Sequence, residues 1–179
     1  MTERMKYVWS EKPVEPELKP LIHKVYSWII TSDNQVVIVS KDGNNWQLPG
    51  GTLENEDLIV GLYREINEET GLSPDLVKYV TCIGHDRIVD VDSSPPNTKF
   101  IQLKFAIMLK KTAEQVKPLL HTKERPQDPP ESKIKFIEVL PFEKACASIQ
   151  YICHPTRAEE KQSIINFYEQ ATQPDVLQP

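Results

Sequence analysis

The sequence has few cysteines, no long apolar run and no concentration of positive charge. Its three cysteines, Cys82, Cys146 and Cys153, are scattered through 179 residues. An odd count with no metal-ligand spacing argues against a disulfide framework or a zinc site, and for free thiols in a reducing compartment. No stretch approaches the ~18 apolar residues that a membrane span requires. The opening residues, Met-Thr-Glu-Arg-Met-Lys-Tyr-Val-Trp, hold no apolar core of the secretory kind. A cytoplasmic protein without membrane contact is therefore expected. Internal repeats and low-complexity tracts are also missing. Lys and Arg number 21 against 26 Asp and Glu, a net charge of -5. With no basic stripe, general nucleic-acid binding is not expected.

What the chain does have is ordinary apolar content, 39%, at a length suited to one domain. It also has a local excess of acid. Between Glu54 and Glu69 stand six acids (Glu54, Glu56, Asp57, Glu65, Glu68, Glu69) and one base, Arg64. That segment alone accounts for the net charge, and the remainder is balanced.

Residues 1–20 carry Pro13, Pro16 and Pro20 and read as an extended N-terminal arm. Leu21 to Thr31 is apolar and β-branched, a strand. Ser32-Asp33-Asn34-Gln35 is turn chemistry, and Val36 to Val39 returns as the second strand of a hairpin. Trp46-Gln47-Leu48 leads into Pro49-Gly50-Gly51, where the chain must bend. From about Asn55 to Thr70 the spacing of Leu58, Ile59, Leu62 and Ile66 predicts a helix with one apolar face. Asn55 is its expected N-cap, and Gly71 fits the position just past its end, with Leu72 folding back onto Ile66. Further strands are expected in Val77 to Ile83, Arg87 to Val91, Phe100 to Leu109 and Ile134 to Val139. Lys110 to Lys133 is a long loop rich in proline and charge. Phe142 to Ile152 and Arg157 to Gln170 read as helices, with a loose tail after Ala171. The core then spans residues 21–142. Residues 143–179 form a C-terminal helical segment and tail of the same domain.

Glu65, Glu68 and Glu69 occupy i, i+3 and i+4, so their carboxylates share one helix face. They also lie near the helix C-terminus, where the dipole disfavours anions. Each like-charge pair at this spacing costs a few tenths of a kcal/mol, roughly 0.2–0.5. A bare acidic helix face needs no explanation beyond solvation. Three glutamates where charge is disfavoured are better explained by a hard divalent cation, which converts the repulsion into binding.

The stretch Gly50 to Leu72 runs Gly, five residues, Glu56, seven residues, then Arg64-Glu65-Ile66-Asn67-Glu68-Glu69-Thr70-Gly71-Leu72. It resembles the Nudix box at every specified position. A chance match is on the order of one in 10⁹ per starting position at average composition. The box covers 23 residues, and a looser likeness extends over roughly 21–142. The resemblance implies an α/β fold, an α/β/α sandwich around a mixed sheet with the box as loop–helix–loop. It implies metal binding by Glu68 and Glu69, and by Glu65 as ligand or proton acceptor. It implies that Arg64 orients the glutamates, that Glu56 holds the loop on the helix, and that a carbonyl of Gly50 or Gly51 completes the coordination. Family members commonly count the five residues from the second glycine of the pair. Here the count closes from Gly50, so the loop is one residue short and Asn55 stands where a glycine is usual.

Many members draw a further acid from a loop after the box. Glu131 is the expected residue, with Glu124 and Asp128 as competitors. The implied activity is hydrolysis of a pyrophosphate bond in a small, nucleotide-like diphosphate, with one to three Mg²⁺ ions (or Mn²⁺) between the glutamates and the phosphates. The rival is a Nudix-fold binding or regulatory module, against which the retained glutamates argue. Three other features have plain readings. His85 with Asp86 and Arg87 reads as a polar turn. Trp46 either stacks a base or packs under the glycine loop. Arg157 and the lysines of the last helix read as a solvated face. The sequence does not indicate the substrate or the oligomeric state.

Overall fold

The computed structural model describes residues 4–123 and 129–172. Its β-branched and aromatic runs form strands β1 (Met5–Ser10), β2 (Ile22–Ile30), β3 (Gln35–Ser40), β4 (Trp46–Gln47), β5 (Gly50–Thr52), β6 (Val77–Asp90), β7 (Asn97–Leu109) and β8 (Phe136–Pro141). The helices are α1 (Leu58–Thr70), α2 (Ala113–Val116), α3 (Phe142–Ser148) and α4 (Ala158–Thr172). The strands make one sheet in the order β1-β6-β7-β2-β3-β4, with β5 also on β2 and β8 also on β3. It is mixed: β2 runs parallel to β7, and the other pairings are antiparallel.

Alternation along the strands builds two cores. Val25 and Ile29 of β2 join Leu103, Phe105 and Ile107 of β7 against Leu62 and Ile66 of α1. Their neighbours Trp28 and Ile30 pack instead with Phe142, Ala145 and Cys146 of α3 and Ile164 of α4. Successive side chains point to opposite faces of a strand, so the two helical layers lie on opposite faces of the sheet. This is the expected α/β/α sandwich.

Several details depart from the sequence reading. Helix α1 begins at Leu58, with Asp57 in the N-cap position and no side-chain capping bond. Asn55 is not the cap. It adopts φ +57°, a left-handed conformation that asparagine tolerates better than most residues, which accounts for its standing where glycine is usual. The two strands expected between Val77 and Val91 are one continuous strand, β6, so His85, Asp86 and Arg87 lie within a strand rather than in a turn. Of the arm expected to be extended, Met5–Ser10 is a strand that pairs antiparallel with β6, whereas Pro16–Leu21 forms a 3-10 helix. The first part of the long loop is helical: Thr112 caps α2 through a capping box. The helix expected at Phe142–Ile152 ends at Ser148, and the one expected at Arg157–Gln170 runs from Ala158 to Thr172, with 3-10 turns at Gln150–Cys153 and Pro155–Arg157 between them.

Candidate active site

The glycine pair is dictated by two different close approaches. Strand β5 lies on β2 with Tyr26 opposite Gly50 and Val25 opposite Gly51. Gly50 has φ +148°, and a Cβ there would stand 2.1 Å from the Val25 carbonyl oxygen. A Cβ on Gly51 would stand 2.3 Å from Glu65 Oε2. The backbone must therefore be bare at Gly50 for β5 to pair with β2, and at Gly51 for the Glu65 carboxylate to stand where it does.

Helix α1 then presents its acids to this loop. The Gly50 N–H donates to Glu69 Oε2 at 2.8 Å. Arg64 joins the rest: it donates to both oxygens of Glu56, to Glu65 Oε1 at 2.8 Å, to Glu68 Oε2 at 3.3 Å and to the Thr52 carbonyl at 3.0 Å. Its planar fork matches carboxylates in pairs, which a lysine could not do. These bonds, led by Glu56, raise the Arg64 pKa further. At the helix end Gly71 takes the left-handed conformation expected of it, with its N–H on the Asn67 carbonyl. Lys123, beyond the helix, donates its backbone N–H to the Glu68 carbonyl at 2.8 Å and its ammonium to Asn67 Oδ1 at 2.6 Å. The following loop is thus tied to the last turn of α1.

Glu54, Glu65, Glu68 and Glu69 line one pocket of about 360 Å³ with Gly50 and Gly51 and with four lysines, Lys24, Lys41, Lys123 and Lys133. Burial raises the Glu69 carboxyl to a pKa of about 8. The Gly50 N–H opposes that rise, and the neighbouring Glu65 and Glu68 charges add to it. Burial, with Glu69 and Glu65 nearby, likewise raises the Tyr26 phenol to about 12. The pocket therefore combines hard oxygen donors with basic side chains suited to phosphates.

The donor chemistry fits a divalent cation: Glu65, Glu68 and Glu69 of the box line one cavity with the two glycines. Among the described residues, however, no three His, Cys, Asp or Glu side chains converge on one point as they stand. Arg64 and the Gly50 amide hold the carboxylates instead, so a metal would compete with Arg64 for Glu65 and Glu68.

Of the residues singled out from sequence, Gly50, Gly51, Glu65, Glu68 and Glu69 line this pocket, and Arg64 links three of the box acids. Glu131 is exposed on the 3-10 turn Pro130–Ser132. The next residues, Ser132 and Lys133, reach the pocket wall, and Glu131 is not part of that wall. Glu124 and Asp128 lie outside the described residues. Trp46 packs against the second core.

A second charged cluster is not legible in the sequence. Asp86 of β6, Lys104 of β7, Arg157 of the 3-10 turn before α4 and Glu160 of α4 are all buried. Arg157 donates to Asp86 Oδ1 at 2.5 Å and to Glu160 Oε2 at 3.2 Å, so it is not on a solvated face. Tyr151 donates to Glu160 Oε1 at 3.1 Å. Burial lowers the Lys104 ammonium pKa and raises that of the Glu160 carboxyl. The one sequence signal for this cluster is a lysine amid the apolar run Leu103–Leu109.

Residues 22–161 match the family model of the NUDIX domain. No curated protein matches the sequence. Among solved structures, the chain is similar to a pyrophosphohydrolase from Bacillus subtilis at TM-score 0.56, with 14% identity over 91% of this chain and 90% of that one. It is similar to an Ap4A hydrolase from C. elegans at TM-score 0.53, with 13% identity over 82% and 96%. It is also similar to a NUDIX hydrolase from Listeria monocytogenes at TM-score 0.55, with 16% identity over 83% and 93%. At these identities the likeness is one of fold.

Proposed function

This chain belongs to the NUDIX family, and from that premise we propose that it is a divalent-metal-dependent hydrolase that cleaves a pyrophosphate bond in a small, nucleotide-like substrate. The observation that carries the reading is the meeting of Glu65, Glu68 and Glu69 with the glycine pair in one lysine-lined pocket. The metal is Mg²⁺, with Mn²⁺ as substitute, held by Glu68 and Glu69 with Glu65 and a carbonyl of Gly50 or Gly51. A bound cation supplies neutralisation of the diphosphate and a lowered pKa for an attacking water.

The chain's own groups do the rest. Lys24, Lys41, Lys123 and Lys133 attract and orient the phosphates. Arg64 sets the rotamers of Glu65 and Glu68, and the Gly50 amide sets that of Glu69. A water oxygen bonds to one phosphorus as the bridging P–O bond breaks, and the bridging oxygen leaves with the electron pair. The water's proton passes to a carboxylate, Glu65 or Glu131, by general-base catalysis. The products are a nucleoside monophosphate, or another phosphate-bearing fragment, and the remainder.

The test is a screen of nucleoside triphosphates, nucleotide sugars, dinucleotides and coenzyme A with Mg²⁺ or Mn²⁺, read as phosphate released after phosphatase coupling. Turnover that depends on the metal and is lost in Glu69→Gln supports the reading. Metal-dependent nucleotide binding without turnover of any class assigns a binding module instead.

A further inference from the structure

A second pocket, about 310 Å³, adjoins the glutamate pocket and shares Lys24, Tyr26 and Gln47 with it. The sheet register explains the adjacency. Tyr26 is opposite Gly50 on one side and opposite Lys104 on the other, so it stands between the box and the buried cluster. Lys104 is part of the wall of this second pocket.

Lys104 is only 3% exposed, and its ammonium carries three donors. One reaches Tyr151 Oη at a long 3.4 Å. The carboxylates of Glu160 and Asp86 lie at 3.8 and 4.0 Å, ion-pair distances beyond hydrogen-bond reach. A buried ammonium with unspent donors is costly, and the adjoining cavity is where acceptors could come from. The acceptor should be uncharged. Lys104 and Arg157 already balance Asp86 and Glu160, and an anion would leave the cluster with net negative charge. The walls suit a flat ring: the Tyr26 ring centre is 4.4 Å from Lys104 Nζ, that of Tyr151 5.0 Å, and the Tyr7 ring lies 4.1 Å from the Arg157 guanidinium. Tyr7, Tyr26 and Tyr151 all line this pocket, and the ring faces that these cations leave uncovered are of the kind that stacks bases.

We propose that this pocket holds the base of the substrate nucleotide, and that Lys104 selects a 6-oxopurine, guanine or hypoxanthine, over adenine. The proposal rests on the hydrolase reading above. Guanine and hypoxanthine offer two adjacent acceptors, O6 and N7, which a lysine can satisfy together. Adenine places an amino donor at the same edge, against a group that can only donate. The cost of that mismatch is roughly tenfold or more in affinity.

The experiment is calorimetric titration of GMP, IMP and AMP into wild type and Lys104→Met, alongside kcat/KM for GTP and ATP. We expect GMP and IMP to bind at least tenfold more tightly than AMP, with the same order in kcat/KM, and Lys104→Met to erase the difference. Lys104→Met leaves Asp86 and Glu160 without that cation and can fail to fold. Tyr7→Leu, at a residue 44% exposed, is the second variant and should weaken GMP binding several-fold. Equal binding of GMP and AMP by wild type, or GMP binding untouched by Tyr7→Leu, overturns the proposal. Hydrolysis of nucleotides with no base preference sinks the base pocket and leaves the hydrolase standing. Selective GMP binding with no nucleotide hydrolysed does the reverse.

Discussion

Gly50 and Glu69 are 19 residues apart and joined by one bond, from the Gly50 backbone N–H to Glu69 Oε2 at 2.8 Å. It ties the bend after β4 to the last turn of α1, and so sets where a half-buried carboxylate stands relative to the pocket. Both ends are under constraint: Gly50 by its backbone conformation, Glu69 by burial beside two other acids.

Gly50→Ala tests the first constraint. Its Cβ would overlap the Val25 carbonyl at 2.1 Å, at a backbone angle that alanine avoids. We expect a loss of roughly 2–4 kcal/mol and near-complete loss of activity, since β5 must move and the Glu69 bond moves with it. Thermal unfolding with a parallel rate measurement decides. A wild-type melting temperature would mean that β5 can shift without cost.

Glu68→Gln and Glu69→Gln should each lower kcat at least a hundredfold while the fold survives. In the metal-free protein, Glu69→Gln should be no less stable than wild type, because the amide avoids the cost of holding the Glu69 carboxyl protonated, or charged beside Glu65 and Glu68, in the folded chain. Millimolar Mg²⁺ should raise the wild-type melting temperature in proportion to the logarithm of its concentration, and Glu68→Gln should weaken that rise. Normal turnover in both variants would sink the metal assignment.

In chelator, wild-type stability should fall as pH rises from about 4.5 to about 8. The sign follows from Glu69, whose carboxyl titrates near 8 in the folded chain against 4.5 ordinarily. Across that window the folded state holds a proton that the unfolded state has released, so raising the pH favours unfolding. Denaturant titrations at several pH values, on wild type and Glu69→Gln, isolate this contribution. A wild-type slope no steeper than that of the variant would count against it.

Glu65→Gln and Glu131→Gln separate the two candidate proton acceptors. Glu65 is buried in the pocket wall, whereas Glu131 is exposed on a neighbouring turn. We therefore expect Glu65→Gln to lower kcat much more than it changes KM, the mark of an interaction made in the transition state, and Glu131→Gln to do less. The reverse pattern in steady-state kinetics would move the acceptor to the loop.

The helix of the box, its three glutamates on one face, Gly71 at its end and the β2–β3 hairpin are all legible in the order of residues alone. Each depends on short-range spacing: 3.6 residues per helical turn, two per strand repeat, and turn residues with particular backbone freedom. The departures are local as well. Asn55 looks like a cap because asparagine caps helices, yet the same side chain tolerates the left-handed angle that the shortened loop imposes.

By itself, then, the sequence determined the family, the box and the chemical character of the site, because these are written in residues close together along the chain. Tertiary structure alone decided what the remaining charges do. Asp86 and Arg157 are 71 positions apart, and nothing local distinguishes them from solvated surface residues. Pairing of β6 with β7, and packing of the α4 segment on that face, removes them from water together with Lys104 and Glu160. Once desolvated, such groups must find one another or a ligand, and that requirement arises only when distant segments meet.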